Sequence, residues 1–317
     1  MVKHQIDEIK VVVADPNRQL RTSLKGVLHQ HGFRGIVDTS TLEGLEDEIR
    51  ITNPDLILCD YDLVGENKSD GVCQLISRMR HNKLGQNPFA AVIMFIEEAN
   101  EEIIKAASLA GLDDIQVKPV VAQSIIDRVT YLIKQRKPFV VTTDYVGPDR
   151  RKSNRPGTME IPIVEVPNTL ASKALGKYDP REIQRQIEGT LWNINAQKIE
   201  RHIYQVAYLI ERIVPAYNDG AINKETLAMV TRLVHVSVDV ISRLKESDYG
   251  HITDLASTLA KVARSLWESG TLPKRKDLNL LPELSAALSA AIKLQDQSAS
   301  VVQKISSSVQ EKYEPSV

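Results

Sequence analysis

The chain has 317 residues, of which 42% are hydrophobic, and 40 basic side chains stand against 41 acidic ones. This length predicts two domains with cores of their own, and the composition excludes a wholly disordered chain. The charge balance excludes a general attraction to nucleic acid or to an anionic membrane surface. Two cysteines exclude a disulfide scaffold, and the sequence contains neither a signal-peptide pattern nor an apolar run long enough for a membrane helix. We therefore expect a soluble, cytoplasmic protein.

Short apolar runs alternate with amphipathic stretches over the first 137 residues. Strands are predicted at Glu8–Ala14, Gly35–Asp38, Pro54–Asp60, Ala90–Ile96 and Asp114–Val117. Helical patterns lie between or after them, at Arg18–His31, Gly71–Arg80 and Ile125–Lys134. Alternating strands and helices predict a mostly parallel sheet that is covered on both faces. The expected fold is a flavodoxin-like, doubly wound α/β domain with five parallel strands.

Residues 138–178 have a different composition. The stretch from Asp144 to Gly157 is rich in turn-forming and cationic residues, and it follows one further extended segment at Phe139–Thr143. This pattern predicts a linker with little core of its own.

The apolar spacing becomes helical from residue 179 onward. Asp179 is placed as a helix N-cap, with Pro180 at the first helical position and Glu182 three residues after the cap. Four apolar stripes then follow, over Ile183–Ile213, Leu227–Leu244, Leu255–Leu266 and Leu284–Val309. Pro215 is expected to end the first helix. The pattern predicts an antiparallel all-helical bundle over residues 179–317, whose long first and last helices also suit a dimer.

Residues able to carry chemistry follow the predicted strands of the first domain. Asp15 follows the first strand, Asp60 ends the third and Lys118 follows the fifth. Because functional groups collect beyond the carboxyl ends of parallel strands, we expect these three side chains to meet. Carboxylate and carbonyl oxygens suit Mg²⁺, and an aspartate so placed can attack a phosphoryl group while metal and lysine offset its charge.

These residues resemble the receiver domains of two-component response regulators over residues 8–137. The resemblance rests on five segments in that family's order and spacing: Val11–Asp15, Pro54–Asp60, Asp70–Gly71, Ala91–Phe95 and Gly111–Pro119. It implies that Asp60 is the phosphoacceptor and that Lys118 contacts the phosphoryl group, with a cis bond to Pro119. It also implies that Asp15, Asp60 and the backbone carbonyl of Asp62 hold Mg²⁺.

Three positions depart from the receiver pattern. Ala14 stands where the family has a further acidic residue, which should weaken Mg²⁺ binding. Ile96 stands where the family has a Thr or Ser that hydrogen-bonds the phosphoryl group, and Ile115 replaces a Tyr or Phe that turns inward. The groups that form the acyl phosphate are thus mostly present, whereas those that usually transmit it are missing.

The resemblance implies a response-regulator-like signalling protein rather than an enzyme. Its phosphoryl donor would be a sensor histidine kinase or a histidine phosphotransfer protein. The helical region has 17 basic and 17 acidic residues over 179–317, so we expect it to bind a protein target and to form a homodimer, without binding nucleic acid or membrane.

Two alternatives remain open. One is a pseudo-receiver scaffold whose Asp60 is never phosphorylated. The other is a phosphatase or phosphotransferase activity of the helical region, for which His202 and His235 are candidates. Because no family motif surrounds either histidine, we expect both to be structural.

Overall fold

The computed structural model describes residues 5–65, 71–151, 162–245 and 247–293, with only the backbone of Gln5 and Ala122. The chain divides into two compact units, residues 1–194 and 195–317, which are described separately. Among the helices of the described ranges, none combines the length and the apolar character that crossing a membrane requires.

The first unit contains a parallel sheet of five strands. Its strands are β1 (Lys10–Ala14), β2 (Gly35–Thr39), β3 (Leu56–Asp60), β4 (Ala91–Ile96) and β5 (Asp114–Val117). Their order in the sheet is β2-β1-β3-β4-β5, and every neighbouring pair is parallel. The sequence therefore predicted all five strands, and the order places the carboxyl ends of β1 and β3 side by side.

Helices cover both faces of this sheet. They are α1 (Arg18–Gln30), α2 (Leu42–Thr52), α3 (Val72–Arg80), α4 (Glu101–Leu109) and α5 (Ala122–Gln135). Val11 and Val13 of β1 pack in one core with α1 and α5, whereas Val12 and Ala14 pack in the opposite core with α2, α3 and α4. Alternate residues of a strand point to opposite faces, so a continuous apolar run is required where both faces are buried. The doubly wound α/β fold is confirmed.

A second, three-stranded antiparallel sheet extends the first unit. It consists of β6 (Phe139–Val141), β7 (Val146–Pro148) and β8 (Ile163–Val164) in the order β7-β6-β8, and α6 (Thr169–Ala174) follows it. Phe139, Val141 and Val146 are buried in a cluster with Phe89 of the first domain. Leu170 and Ala174 of α6 join the core on the α1 and α5 side of the parallel sheet. This segment is therefore packed onto the receiver-like fold.

The predicted domain boundaries differ from this arrangement. A linker was expected over 138–178 and a helical domain from residue 179, but the first compact unit extends to Ile194. Ile183, Ile187 and Ile194 share the buried cluster of Phe139. Strands of two or three residues are too short to show an apolar alternation, and their packing partners lie far away in the chain. The turn-rich composition therefore concealed a small sheet.

Buried ion pairs stabilise the edge of the parallel sheet at the amino ends of its strands, opposite the carboxyl ends of β1–β5. The Arg80 guanidinium donates to Asp113 at 3.0 Å and to the carbonyl oxygens of Gly111, Pro88 and Ala90. Arg136 donates to the same aspartate through Nε at 2.7 Å. Burial lowers the pKa of the Arg80 guanidinium to about 10, and the charge of Asp113 acts in the opposite direction. Arg80 is therefore charged at neutral pH and depends on Asp113 for compensation.

The second unit is a bundle in which four helices share one core. Its helices are the second part of α7 (Pro180–Asn218), α8 (Lys224–Lys245), α9 (Thr253–Ser269) and α10 (275–293). The side-chain amide of Asn195 donates to the carbonyl of Arg243, and the Trp267 indole donates to Thr231. These contacts join the beginning of one helix to the end of the next, so α8 is antiparallel to both α7 and α9.

The prediction that Pro215 ends the first helix of the bundle is wrong, because α7 continues to Asn218. Proline has a φ that suits a helix, and in the last turn the lost hydrogen bond and the contact of its ring with the preceding turn did not end the helix. The backbone N–H of Asp219 still donates to the Pro215 carbonyl at 2.9 Å. The part of the last stripe beyond residue 293 lies outside the described residues.

Candidate functional site at the carboxyl edge of the parallel sheet

The sheet places three candidate residues at one edge. Ala14, the last residue of β1, pairs with Cys59 of β3, so Asp15 lies beside Asp60. Ile96, the last residue of β4, pairs with Val117 of β5, so Lys118 is the first residue beyond that edge. The peptide bond between Lys118 and Pro119 is cis, as the receiver resemblance implies.

The Lys118 ammonium lies within ion-pair distance of three carboxylates. Its Nζ donates a hydrogen bond to Oδ2 of Asp60 at 2.7 Å, and Oδ2 of Asp15 is 3.2 Å away. Oε1 of Glu97, which follows β4, lies at 3.0 Å. Asp15 and Asp60 are buried, whereas the Glu97 side chain is 63% exposed. The structure thus brings together the three predicted residues and adds a fourth.

The surroundings of these groups shift two of their pKa values. Burial raises the pKa of the Asp15 carboxyl; the N–H that Asn17 donates lowers it, and the charge of Asp60 raises it further. Burial lowers the pKa of the Lys118 ammonium, but the carboxylates of Asp60, Glu97 and Asp15 outweigh burial and hold it above its usual value. Lys118 is therefore a permanent cation between carboxylates that repel one another.

The oxygen atoms available here fit a weakly held divalent cation. Oδ2 of Asp15 is buried and accepts no well-oriented hydrogen bond, although the ammonium is nearby. The backbone N–H of Asp62 donates to Oδ1 of Asp60 at 3.3 Å, which keeps Asp62 next to Asp60. Two carboxylates and the Asp62 carbonyl can hold Mg²⁺ if water completes its shell. Within the described ranges, no group of three or more His, Cys, Asp or Glu side chains is arranged for a metal.

The residues that depart from the receiver pattern are packed into the protein. Ala14 and Ile96 are fully buried in the core on the α2–α4 side, and Ile115 packs against that core. A buried isoleucine offers no hydroxyl to a phosphoryl oxygen, and exchanging it for a polar residue would leave an unsatisfied group there. The last residue of β4, Ile96, therefore makes apolar contacts in place of a hydrogen bond. Asp70, part of the resemblance, lies outside the described residues.

Glu97 is the site residue that the sequence analysis missed. A run of glutamates, Glu97, Glu98, Glu101 and Glu102, is typical of a solvated first helical turn, but α4 begins only at Glu101, with Asn100 as its N-cap. Glu97 therefore lies in the loop between β4 and α4, where its carboxylate reaches Lys118. An N-cap signal at Asn100, whose side chain accepts from the N–H of Ile103 at 2.8 Å, could have placed Glu97 outside the helix.

The histidine candidates of the helical unit differ in exposure. His202 is buried; its Nδ1 faces the Lys198 carbonyl at 2.6 Å and its Nε2 faces the Asp239 carboxylate at 2.9 Å. Both ring nitrogens are thus occupied by acceptors, which leaves none for phosphotransfer and supports a structural role for His202. His235 is exposed on α8.

Comparison with known proteins gives a relative for the N-terminal region. No protein-family model matches the chain. The N-terminal region is 31% identical over 137 residues to the phosphate regulon transcriptional regulatory protein PhoB of Rhizobium meliloti (strain 1021). The match covers 42% of this chain and 56% of the relative, so the chain spans little more than half of that protein's length.

Solved structures of response regulators are also similar to the chain. The chemotaxis response regulator CheY4 of Vibrio cholerae is 15% identical, with a TM-score of 0.35, over 39% of this chain and 98% of that one. A response regulator from Thermotoga maritima is 22% identical, with a TM-score of 0.34, over 40% of this chain and 98% of that one. Because these scores are low, the fold assignment rests on the strand order and register described above. The N-terminal region of this chain is therefore similar to the receiver domains of response regulators, from which it departs at Ala14, Ile96 and Ile115, and these comparisons assign no family to the helical region.

Proposed function

We propose that the first unit accepts a phosphoryl group on Asp60 in the presence of Mg²⁺. One observation carries this proposal: the Lys118 ammonium lies 2.7 Å from Asp60 and 3.2 Å from Asp15, beyond the carboxyl ends of parallel strands in receiver order. A nucleophilic carboxylate, a second carboxylate for a cation and a fixed ammonium are the parts that phosphoryl transfer to aspartate requires.

In the proposed reaction, a carboxylate oxygen of Asp60 forms a bond to phosphorus. The bond between phosphorus and the donor's leaving atom breaks, and that atom keeps the electron pair. The leaving atom is an imidazole nitrogen in a phosphohistidine, which then takes a proton, or a carboxylate oxygen in acetyl phosphate. Lys118 holds and neutralises the phosphoryl oxygens, and Asp15, Asp60 and the Asp62 carbonyl hold Mg²⁺. When bound, Mg²⁺ supplies further positive charge against those oxygens.

The partners follow from this reading and are part of the proposal. The donor is a sensor histidine kinase or a histidine phosphotransfer protein in the cytoplasm, and the chain itself is a phosphoprotein rather than an enzyme. The helical unit binds a protein target or a second copy of the chain, and its charge balance does not suit nucleic acid. Phosphorylation changes that association through the charge it adds at the sheet edge.

A pseudo-receiver scaffold is the competing function. Ala14 removes one acidic side chain from the site, and Ile96 removes the hydroxyl that would bind the phosphoryl group. Lys118 is meanwhile occupied by three carboxylates. In a scaffold, this ion-paired cluster would be permanent and would serve stability alone.

Incubation with acetyl phosphate and Mg²⁺, followed by intact-mass measurement, tests the proposal. We expect one phosphoryl adduct on the wild type and on Asp62→Asn, which keeps the backbone carbonyl, and none on Asp60→Asn. Sizing of the wild type and Asp60→Asn, each with and without donor, then shows whether the modification changes self-association. Absence of the adduct under conditions that label an ordinary receiver would overturn the proposal in favour of the scaffold.

A further inference from the structure

The third carboxylate at Lys118 differs from the other two in its surroundings. Asp15 and Asp60 are buried and fixed by backbone N–H donors from Asn17 and Asp62. Glu97 reaches the ammonium from an exposed loop, and apart from the 3.0 Å ion pair its side chain faces solvent. The inner two carboxylates are thus built into the site, whereas the outer one can leave it at little cost.

The position of Glu97 matters because Lys118 has few donors. An ammonium has three N–H groups, and this one already faces three carboxylates. In the described part of the chain, Lys118 is the cation in ion-pair contact with Asp15 and Asp60. A phosphoryl group arriving at Asp60 brings negatively charged oxygens that need the same ammonium. Glu97 therefore competes with the phosphoryl group for Lys118, and its negative charge repels the phosphoryl group.

We propose that Glu97 is a gating residue of the phosphoryl site. Its carboxylate occupies the solvent side of the Lys118 ammonium in the unmodified protein, and the phosphoryl oxygens displace it on transfer to Asp60. This inference rests on the proposed function and adds to it a residue that limits acceptance. An exposed ion pair is worth about 0.2–1 kcal/mol, which corresponds to a rate change between slight and about fivefold.

The rate of labelling by acetyl phosphate with Mg²⁺ tests the gate in the full chain. We expect Glu97→Gln and Glu97→Ala to be labelled about two to five times faster than the wild type. Glu98→Gln is the matched control: it removes the charge of the neighbouring exposed glutamate, which forms no ion pair with Lys118 in the described part of the chain, and it should match the wild type. The difference between wild type and Glu97→Gln should shrink as salt is added, because the pair is exposed.

A binding measurement separates this inference from the proposed function. Beryllofluoride with Mg²⁺ mimics a phosphoryl group without a transfer step, and calorimetry gives its affinity for each variant. Tighter binding by Glu97→Gln than by the wild type and Glu98→Gln supports the gate, even if no variant is labelled and the proposed function fails. Equal labelling rates, or equal affinities for beryllofluoride, of the wild type, Glu97→Gln and Glu98→Gln overturn the gate. If these proteins are still labelled, phosphoryl acceptance on Asp60 stands. Absence of both label and binding in every variant overturns both.

Discussion

The buried pair of arginines around Asp113 gives a prediction that tests the architecture of the first unit. Oδ2 of Asp113 accepts from Arg80, Arg136 and the backbone of Val92, and Oδ1 accepts from Nε of Arg136. Asp113→Asn keeps the shape but turns one acceptor into a donor that faces an arginine. The side chain of Arg80 is fully buried, and the charge of Asp113 opposes the lowering of its pKa by burial, so the substitution leaves the guanidinium without its buried counter-charge.

The expected loss follows from the cost of an uncompensated buried charge. Removing one partner of a buried ion pair costs about 3–5 kcal/mol of unfolding free energy. With a urea m-value of about 2–3 kcal/mol/M, the unfolding midpoint of the first unit should fall by about 1–2.5 M. The chain has two tryptophans, Trp192 in the first unit and Trp267 in the second. In a Trp267→Phe background, Trp192 fluorescence therefore follows the part of α7 that belongs to the first unit.

Asp114→Asn is the matched control for this experiment. Asp114 is the next residue in the chain, and its ion pair with Arg128 at 3.3 Å is largely exposed. An exposed pair of this kind contributes about 1 kcal/mol or less. Equal midpoints for Asp113→Asn and Asp114→Asn would refute the view that Asp113 compensates two buried cations.

Three further predictions concern the rest of the molecule. A chain truncated after residue 137 should be at least about 3 kcal/mol less stable than one ending at residue 194 in urea denaturation, because it loses the buried Leu170 and the 2.7 Å pair between Lys173 and Asp55. Asp15→Asn should raise the unfolding midpoint at pH 7 without Mg²⁺, because burial and Asp60 raise the pKa of Asp15 and its charged form is disfavoured; calorimetry should also show that the variant loses Mg²⁺ binding. Burial raises the pKa of Asp239, but His202 and Arg243 outweigh it and lower that pKa. The resulting stability of the helical unit should be complete above about pH 4 and fall as the pH drops further, and Trp267 fluorescence should show no such acid-dependent loss in Asp239→Asn.

The sheet could be predicted from the sequence because its strands carry an unambiguous signal. A strand buried on both faces must be apolar along its length, as Leu56–Asp60 is up to its last residue. An aspartate that ends such a run is conspicuous, and the topology of parallel strands then fixes which ends meet. Asp15, Asp60 and Lys118 could therefore be brought together without coordinates.

The three-stranded antiparallel sheet could not be predicted, because the local pattern of apolar residues carries almost no information about it. Strands β6–β8 have three, three and two residues, fewer than an alternation needs to become visible. Phe139 is buried because Phe89 and the arginines 80 and 136 surround its ring, with both guanidinium carbons 5.2 Å from the ring centroid. Burial that depends on partners so distant in sequence is a property of the assembled fold.

The charges at the site also show why a cation and a phosphoryl group should be coupled in this domain. The carboxylates of Asp15, Asp60 and Glu97 against the single ammonium of Lys118 leave two net negative charges. A phosphoryl group adds negative charge to this excess, so acceptance without a divalent cation meets repulsion from these carboxylates. Because Ile96 has no hydroxyl for the phosphoryl oxygens, the proposal assigns the movement at this edge to the neighbouring Glu97, whose side chain is exposed. If Glu97 leaves Lys118 on phosphorylation, the loop that leads into α4 changes its contacts. This change occurs next to Ile96, where the receiver family has a hydroxyl.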